Sequence, residues 1–333
     1  MLVDVSTNAY RTDTGVTLTR AERDEVELLA ADLTDLPPRQ VDDDGWLAAA
    51  REMSAQLPLR LRQTLRRFAQ DAGSAGVLLL RNLPVRPEEL PDTPSVRGSV
   101  QRAATVPAGA LLLIAHQLGE IIAFAEEKSG AMVQDVVPVP GMESFQGNAG
   151  STTLNMHVEN AFHPYRPDYV GLLCLRNDHD NTAGLQVASI RRALPLVSDR
   201  VREILFQPRF VTEAPASFGL LDQRPVPHGI LGGAVDDPDI KIDLTSTIPQ
   251  DDEAREAMAE LGRALAEVCQ TLILEPGDLA MTDNRLALHG RTEFRPRYDG
   301  RDRWLQRVFV NLDYRRSRQL RHANGHVITG LPA

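Results

Sequence analysis

Cysteine is almost missing from this chain: Cys174 and Cys269 are its only two, and neither has a partner at metal or redox spacing. That excludes a disulfide-stapled fold and a thiolate-bound metal, and both residues read as small buried hydrophobes. No apolar run reaches the ~18 residues that a membrane-spanning helix needs. The start of the chain lacks the basic, apolar and small-residue succession of a signal peptide. A cytoplasmic protein with no membrane partner is expected. Cations are in deficit, with 36 Lys and Arg against 46 Asp and Glu, a net charge of -10 and a pI near 5.3. Nucleic-acid affinity needs clustered cations against phosphates, so nucleic acid is not the expected partner. Internal repeats and low-complexity tracts are absent as well, which sets aside solenoids and tethers.

What is present fits one elaborated globular domain over residues 1–333. Hydrophobic residues make up 42% and charged residues 25%, the usual balance for a chain with a large core. The first 130 residues read as helical support, with helical apolar spacing over Ala21–Leu33, Trp46–Ala69 and Leu111–Phe124. A strand-length run, Gly76–Leu80, and a Pro-rich loop from Pro84 to Pro94 interrupt them. From Met132 the character changes to short apolar runs divided by Gly, Pro, Asn and Asp: Val133–Val137, Thr152–Val158, Tyr169–Leu175 and Leu185–Ile190. Those runs predict a β-sandwich or barrel over residues 131–333. A long helix is expected over Asp251–Leu274 as an insert, with strands resuming at Asp278–Met281, Leu286–His289 and Trp304–Leu312.

The chemistry-bearing residues sit on those strands. In a strand, residues two apart share a face, so His157 and Glu159 can converge on one ion. The signal is cheap by itself: with eight His in the chain, a His-x-acid triplet arises roughly once by chance. A second histidine, His289, follows 132 residues later beside another strand and a Gly turn. Two His and one carboxylate on one face of an octahedral ion leave three positions open, the arrangement of non-heme Fe(II) oxygenases. Alternatively, His289 is a turn histidine bonded to backbone. Arg303 and Arg307 follow at fourteen and eighteen residues past His289 and share one side of a strand. Guanidinium grips carboxylate through paired hydrogen bonds, so two inward arginines suggest two carboxylates, one from a cosubstrate and one from a substrate. Arg295, Arg297 and Arg301 read as solvated charges.

Several longer tracts then occur in order: Val133-Gln134-Asp135-Val136-Val137-Pro138, the stretch from His157 through Asn160-Ala161-Phe162-His163-Pro164 to Asp168, Cys174-Leu175-Arg176, Asp283-Asn284-Arg285 leading to His289-Gly290-Arg291, and Asp299–Arg307. On these the chain resembles the clavaminate synthase-like branch of the Fe(II)/2-oxoglutarate oxygenases, in particular the free arginine and lysine hydroxylases, from about Gly76 to the end. The resemblance implies a double-stranded β-helix (jelly roll) core with packed helices. It also implies Fe(2+), 2-oxoglutarate and O2 as the cofactor set. By the same resemblance His157, Glu159 and His289 are the iron ligands, Arg303 binds the C5 carboxylate of 2-oxoglutarate, and Arg307 binds the amino acid carboxylate. The carboxylate ligand, present as Glu159, disfavours halogenation.

The chain departs from the family pattern in three places. Val158 replaces the usual threonine between the first two ligands. The threonine that commonly helps hold 2-oxoglutarate falls near Leu185 and Gln186, so its role passes to Gln186, to Thr182, or is absent. In the lid stretch Ile240–Thr245, only Asp243 remains of two acids, with Thr245 at the second place. One acid plus a hydroxyl suits lysine or a neutral ureido group at least as well as arginine. Glu127, rather than its neighbour Glu126, is the expected contact for the substrate ammonium, both read as lying at a helix end before Gly130. The expected function is C–H hydroxylation of a free L-amino acid such as lysine, arginine or citrulline. Desaturation or cyclisation by the same cofactor, and a catalytically silent jelly-roll binding protein, are the alternatives.

Overall fold

The computed structural model describes residues 15–215, Phe218 and 226–331. Its strands are β1 (Gly15–Thr17), β2 (Val77–Arg81), β3 (Glu120–Phe124), β4 (Gln134–Val136), β5 (Leu154–His157), β6 (Tyr169–Arg176), β7 (Gly184–Ser189), β8 (Phe210–Thr212), β9 (Leu231–Gly233), β10 (Pro238–Ile240), β11 (Thr247–Pro249), β12 (Gln270–Ile273), β13 (Leu279–Asp283), β14 (Ala287–Arg291), β15 (Trp304–Asn311) and β16 (Val327–Ile328). The helices are α1 (Arg20–Asp35), α2 (Asp44–Ser54), α3 (Leu59–Gln70), α4 (Val106–Ala115), α5 (Ile190–Ala193), α6 (Asp199–Leu205) and α7 (Asp252–Glu267).

Two sheets face each other. The larger runs β1-β2-β13-β6-β15-β3-β16, with β4 also on β15, and the smaller runs β12-β7-β14-β5. Strand alternation sorts the core. On β2, Val77 and Leu79 point inward to join Leu172, Cys174, Leu185, Val187, Ala287 and Leu305 between the sheets, while Leu78 and Leu80 point outward into the helical layer. This is the jelly-roll arrangement, mainly β with packed helices.

The helices cover the outer faces. Thr19 and Glu22 close a capping box on α1, which satisfies amide groups that a helix start leaves open. Trp46 of α2 donates its indole N–H to the Leu33 carbonyl at 2.9 Å, tying α2 to α1. All eight residues from Ala108 to Ala115 of α4 are buried, because that helix lies between α1, α2 and the larger sheet. Removing a leucine side chain there, as in Leu113→Ala, costs about 2–5 kcal/mol.

The structure corrects three expectations. The apolar run Leu111–Phe124 is not one helix: α4 ends at Ala115, and residues 120–124 form β3, hydrogen-bonded to β15. Short apolar runs such as Ile121–Phe124 show no period that separates helix from strand. At the break, a Cβ on Gly119 would stand 2.5 Å from the Asn311 carbonyl oxygen, so only glycine lets β3 close on β15. Glu126 and Glu127 consequently follow a strand, not a helix, and the first 130 residues supply β1–β3 besides helical support. The insert helix stops at Glu267, and Gln270–Ile273 become β12, paired with β7. Among the described residues no helix is long and apolar enough to cross a membrane.

Three histidines are buried neutral in this framework. His116, at the end of α4, has no hydrogen-bond partner on either ring nitrogen, and burial, aided by the charges of Arg51 and His326, pulls it down to about 3. Burial likewise lowers His163 and His228 to about 4. Unfolded, each titrates near 6.5, so between about pH 6.5 and 4 the unfolded chain binds more protons and stability falls as pH falls. Scanning calorimetry is expected to show Tm dropping between pH 7 and 5, less steeply in His228→Gln; a flat profile would contradict the burial of neutral imidazoles.

Candidate active site

Register brings the candidate ligands together. On the smaller sheet His289 of β14 lies directly opposite His157 of β5 and Val187 of β7, so the two imidazoles share the inward face, with ring centroids 4.4 Å apart. Glu159 follows β5, its carboxylate 3.5 Å from His289 Nε2. One donor atom from each of the three lies within 4.8 Å of the others. The pairing depends on Gly290, where a Cβ would stand 2.6 Å from the Leu154 carbonyl oxygen. An irregularity in the β5–β14 ladder falls at this point.

The donor set suits a divalent metal. His157 donates its Nδ1–H to the Asn155 carbonyl at 2.8 Å, which leaves Nε2 as the free lone pair. Burial lowers His289 and so keeps it neutral. Burial acts the opposite way on Glu159, but the Arg307 guanidinium, with a hydrogen bond from His289, outweighs it and holds this carboxylate well below its usual range. Asn284, fully buried, accepts from the Glu159 N–H at 2.8 Å and donates to the carbonyls of Glu159 at 3.1 Å and Pro167 at 2.8 Å. The backbone of the candidate carboxylate ligand is thus held from both sides by a residue 125 positions away. A second His/Asp group, His179 with Asp299 and Asp302, is joined by a hydrogen bond between His179 Nε2 and Asp299 at 3.0 Å.

Arg303 and Arg307 are equally buried, each 4% exposed, yet differ in kind. Arg307 is held by internal acceptors: it donates to Glu159 at 2.9 Å and to Gln134 and Glu127. The Asn148 amide oxygen stands 3.1–3.2 Å from the same guanidinium. Burial pushes Glu127 upward against the pull of Arg307. Arg303 has no acceptor among the described residues. Its Nε is buried and unpartnered, and burial lowers its pKa. An unmatched buried guanidinium is costly unless an anion meets it.

A cavity of about 650 Å3 opens beside His157 and Glu159, lined among others by Glu127, Phe145, Asn148, Asp243, Thr245 and Arg307. Ile242–Leu244 adds to the free edge of β5: Val158 N–H donates to the Ile242 carbonyl at 2.8 Å and Leu244 N–H to that of Met156 at 3.2 Å. Asp243 spends one carboxylate oxygen on the amides of Thr245 and Ser246. Thr245 accepts from the Asn155 amide at 3.1 Å, which leaves its own hydroxyl proton to give.

Two expected cosubstrate contacts lie elsewhere. Gln186 pairs with Gly290 and Thr271, one residue out of step with Val187, so alternation turns it to the face opposite His289. Thr182 is exposed, and its hydroxyl donates to Asp178 at 3.0 Å. Leu185 takes the inward place, opposite Arg291. Glu126 accepts from the Gly330 N–H at 2.8 Å. Sequence reasoning missed Asn284, Asn148, Gln134 and Arg291. All stand in or beside tracts it singled out, but their partners are far along the chain and leave no local spacing.

The chain is similar to several known proteins. The family model described as "Taurine catabolism dioxygenase TauD, TfdA family" matches residues 235–309. An L-asparagine oxygenase of Streptomyces coelicolor is 50% identical over 317 residues, 95% of each chain. Clavaminate synthase 2 of Streptomyces clavuligerus is 37% identical, covering 87% of this chain and 90% of that one. A crystal structure of asparagine oxygenase with Fe(II), 2S,3S-3-hydroxyasparagine and succinate superposes with a TM-score of 0.92 at 49% identity, over 95% of this chain and 99% of that one.

Asn284→Ala leaves the Glu159 N–H and two carbonyls without their partner, and outer partners of metal ligands are typically worth 10–100-fold in metal affinity. Fe(II) titration under anaerobic conditions is expected to show at least tenfold weaker binding; unchanged affinity would show that the clamp does not position Glu159.

Proposed function

The chain belongs to the clavaminate synthase-like Fe(II)/2-oxoglutarate-dependent oxygenases, and from that premise we propose that it hydroxylates free L-asparagine at an unactivated side-chain carbon, with His157, Glu159 and His289 as the iron ligands. That it is an amino acid hydroxylase of this cofactor class follows from the relatives; the substrate and the residue roles are our reading. The observation that carries the substrate is the pair Asp243 and Thr245 on the cavity wall. One carboxylate oxygen of Asp243 accepts and the Thr245 hydroxyl donates, which complements the NH2 and C=O of a primary amide. Lysine's ammonium has donors only and leaves the Thr245 proton unmatched. The 50% identity to an L-asparagine oxygenase points the same way.

When bound, Fe(II) with 2-oxoglutarate and O2 supplies the oxidising power for C–H hydroxylation. The chain supplies placement. Two imidazoles and one carboxylate on one side leave open positions for cosubstrate and dioxygen. Arg303, lacking an acceptor, takes the far carboxylate of 2-oxoglutarate. Arg307, steadied by Gln134 and Asn148, receives the amino acid carboxylate, and Glu127 receives its ammonium. The apolar residues between the sheets and the wall of Phe145, Phe162 and Phe218 limit access of water to the reacting carbon.

The test is a screen of the twenty amino acids plus citrulline and ornithine for succinate release under Fe(II) and 2-oxoglutarate, since the cavity also admits the longer side chains. L-Asparagine is expected to yield a product 16 Da heavier with equimolar succinate. A loss of 2 Da would mean desaturation instead, and no succinate with any amino acid would mean a silent binding protein. His289→Ala is expected to abolish turnover, and retained activity would overturn the ligand assignment. Asp243→Ala removes a charge-assisted hydrogen bond worth about 1.5–3 kcal/mol, so KM for asparagine should rise at least tenfold while KM for 2-oxoglutarate stays in place.

A further inference from the structure

We infer that Arg291 is a positioning residue that couples the 2-oxoglutarate pocket to the loop that holds the amino acid, so that cosubstrate binding orders that loop. The inference rests on the reading of Arg303 as the 2-oxoglutarate anchor. Arg291 ends β14 two residues after His289 and shares its inward face, 4% exposed. Its guanidinium donates to the carbonyls of Thr152 at 2.8 Å and Gly147 at 3.3 Å. Phe294 N–H donates to the Ser151 carbonyl at 3.0 Å, so residues 291–294 hold the 147–152 loop at three points. That loop carries Asn148, which meets Arg307.

The other end of the connection is electrostatic. The guanidinium carbons of Arg291 and Arg303 lie 5.5 and 5.7 Å from the centroid of the same ring, Phe294. Neither forms an ion pair among the described residues, Asp178 acts on Arg303 only through its charge, and the Nε of each guanidinium is buried without an acceptor. Two desolvated cations near one another weaken each other until an anion arrives. A carboxylate on Arg303 removes that repulsion, and Arg291 then holds Gly147 and Thr152 more firmly. By linkage, the amino acid and 2-oxoglutarate tighten each other's binding.

Hydrogen exchange of residues 141–153 in anaerobic Fe(II) protein, with and without 2-oxoglutarate, tests this without depending on which amino acid is the substrate. Exchange is expected to slow several-fold with 2-oxoglutarate in the wild type. It should not slow in Arg291→Lys, which keeps the charge but cannot span both carbonyls, although calorimetry should still show 2-oxoglutarate bound. Arg291→Gln should lose the effect as well. If the wild-type loop does not respond, or Arg291→Lys responds like the wild type, the inference is wrong. Arg303→Met separates the two readings: unchanged 2-oxoglutarate binding there refutes the anchor, whereas lost binding there with a full loop response in Arg291→Lys refutes only the coupling.

Discussion

The pairing of β5 with β14 is the constraint on which the site depends. It sets His157 against His289 within one ladder, and a strand register slipped by one residue would send one imidazole out of the barrel. The register holds because Gly290 lets the Leu154 carbonyl approach where a side chain could not fit. Asn284 then fixes the third proposed ligand from outside the ladder. Two imidazoles placed by a sheet and one carboxylate placed by a turn explain how ligands more than a hundred residues apart in sequence arrive on one face.

Around this centre the arginines divide into two kinds, and the division follows the chemistry each end would meet. Arg307 is bound on every side by Glu127, Glu159, Gln134 and Asn148, so it is held in place before an amino acid arrives. Arg303 and Arg291 share a ring, and neither Nε has an acceptor. With the roles proposed for Arg307 and Arg303, the site is pre-organised at the amino acid end and short of a hydrogen-bond acceptor at the cosubstrate end.

Much of this was legible in the sequence where spacing carries the information. The close spacing of His157 with Glu159 and of Arg303 with Arg307 was readable, although Glu159 sits in the turn after β5 and Arg303 just before β15, where strand alternation does not reach. The strands between Tyr169 and Arg176 and between Trp304 and Asn311 announced themselves by length and bounding turns. Legibility failed where two apolar runs adjoin: Leu111–Ala115 and Ile121–Phe124 are divided by His116–Glu120, where Gly119 fits against Asn311 and the chain turns from helix to strand. It failed again at Gln186, because facing depends on the register with β14, which no single segment encodes. Asn284 and Arg291 were visible as letters in quoted tracts, but their work is done on Glu159, Gly147 and Thr152, partners that only folding brings near.

The pairing of residues 242–244 with the edge of β5 has a consequence for how such proteins diverge. The segment proposed to face the substrate side chain is tied by its own backbone to the strand that carries His157. Its course is therefore inherited from the metal centre, whatever side chains it bears. Positions 243 and 245 can exchange acid, hydroxyl or amide without moving the main chain. A lineage can thus acquire a new substrate by one or two codon changes while the oxidising centre is left intact.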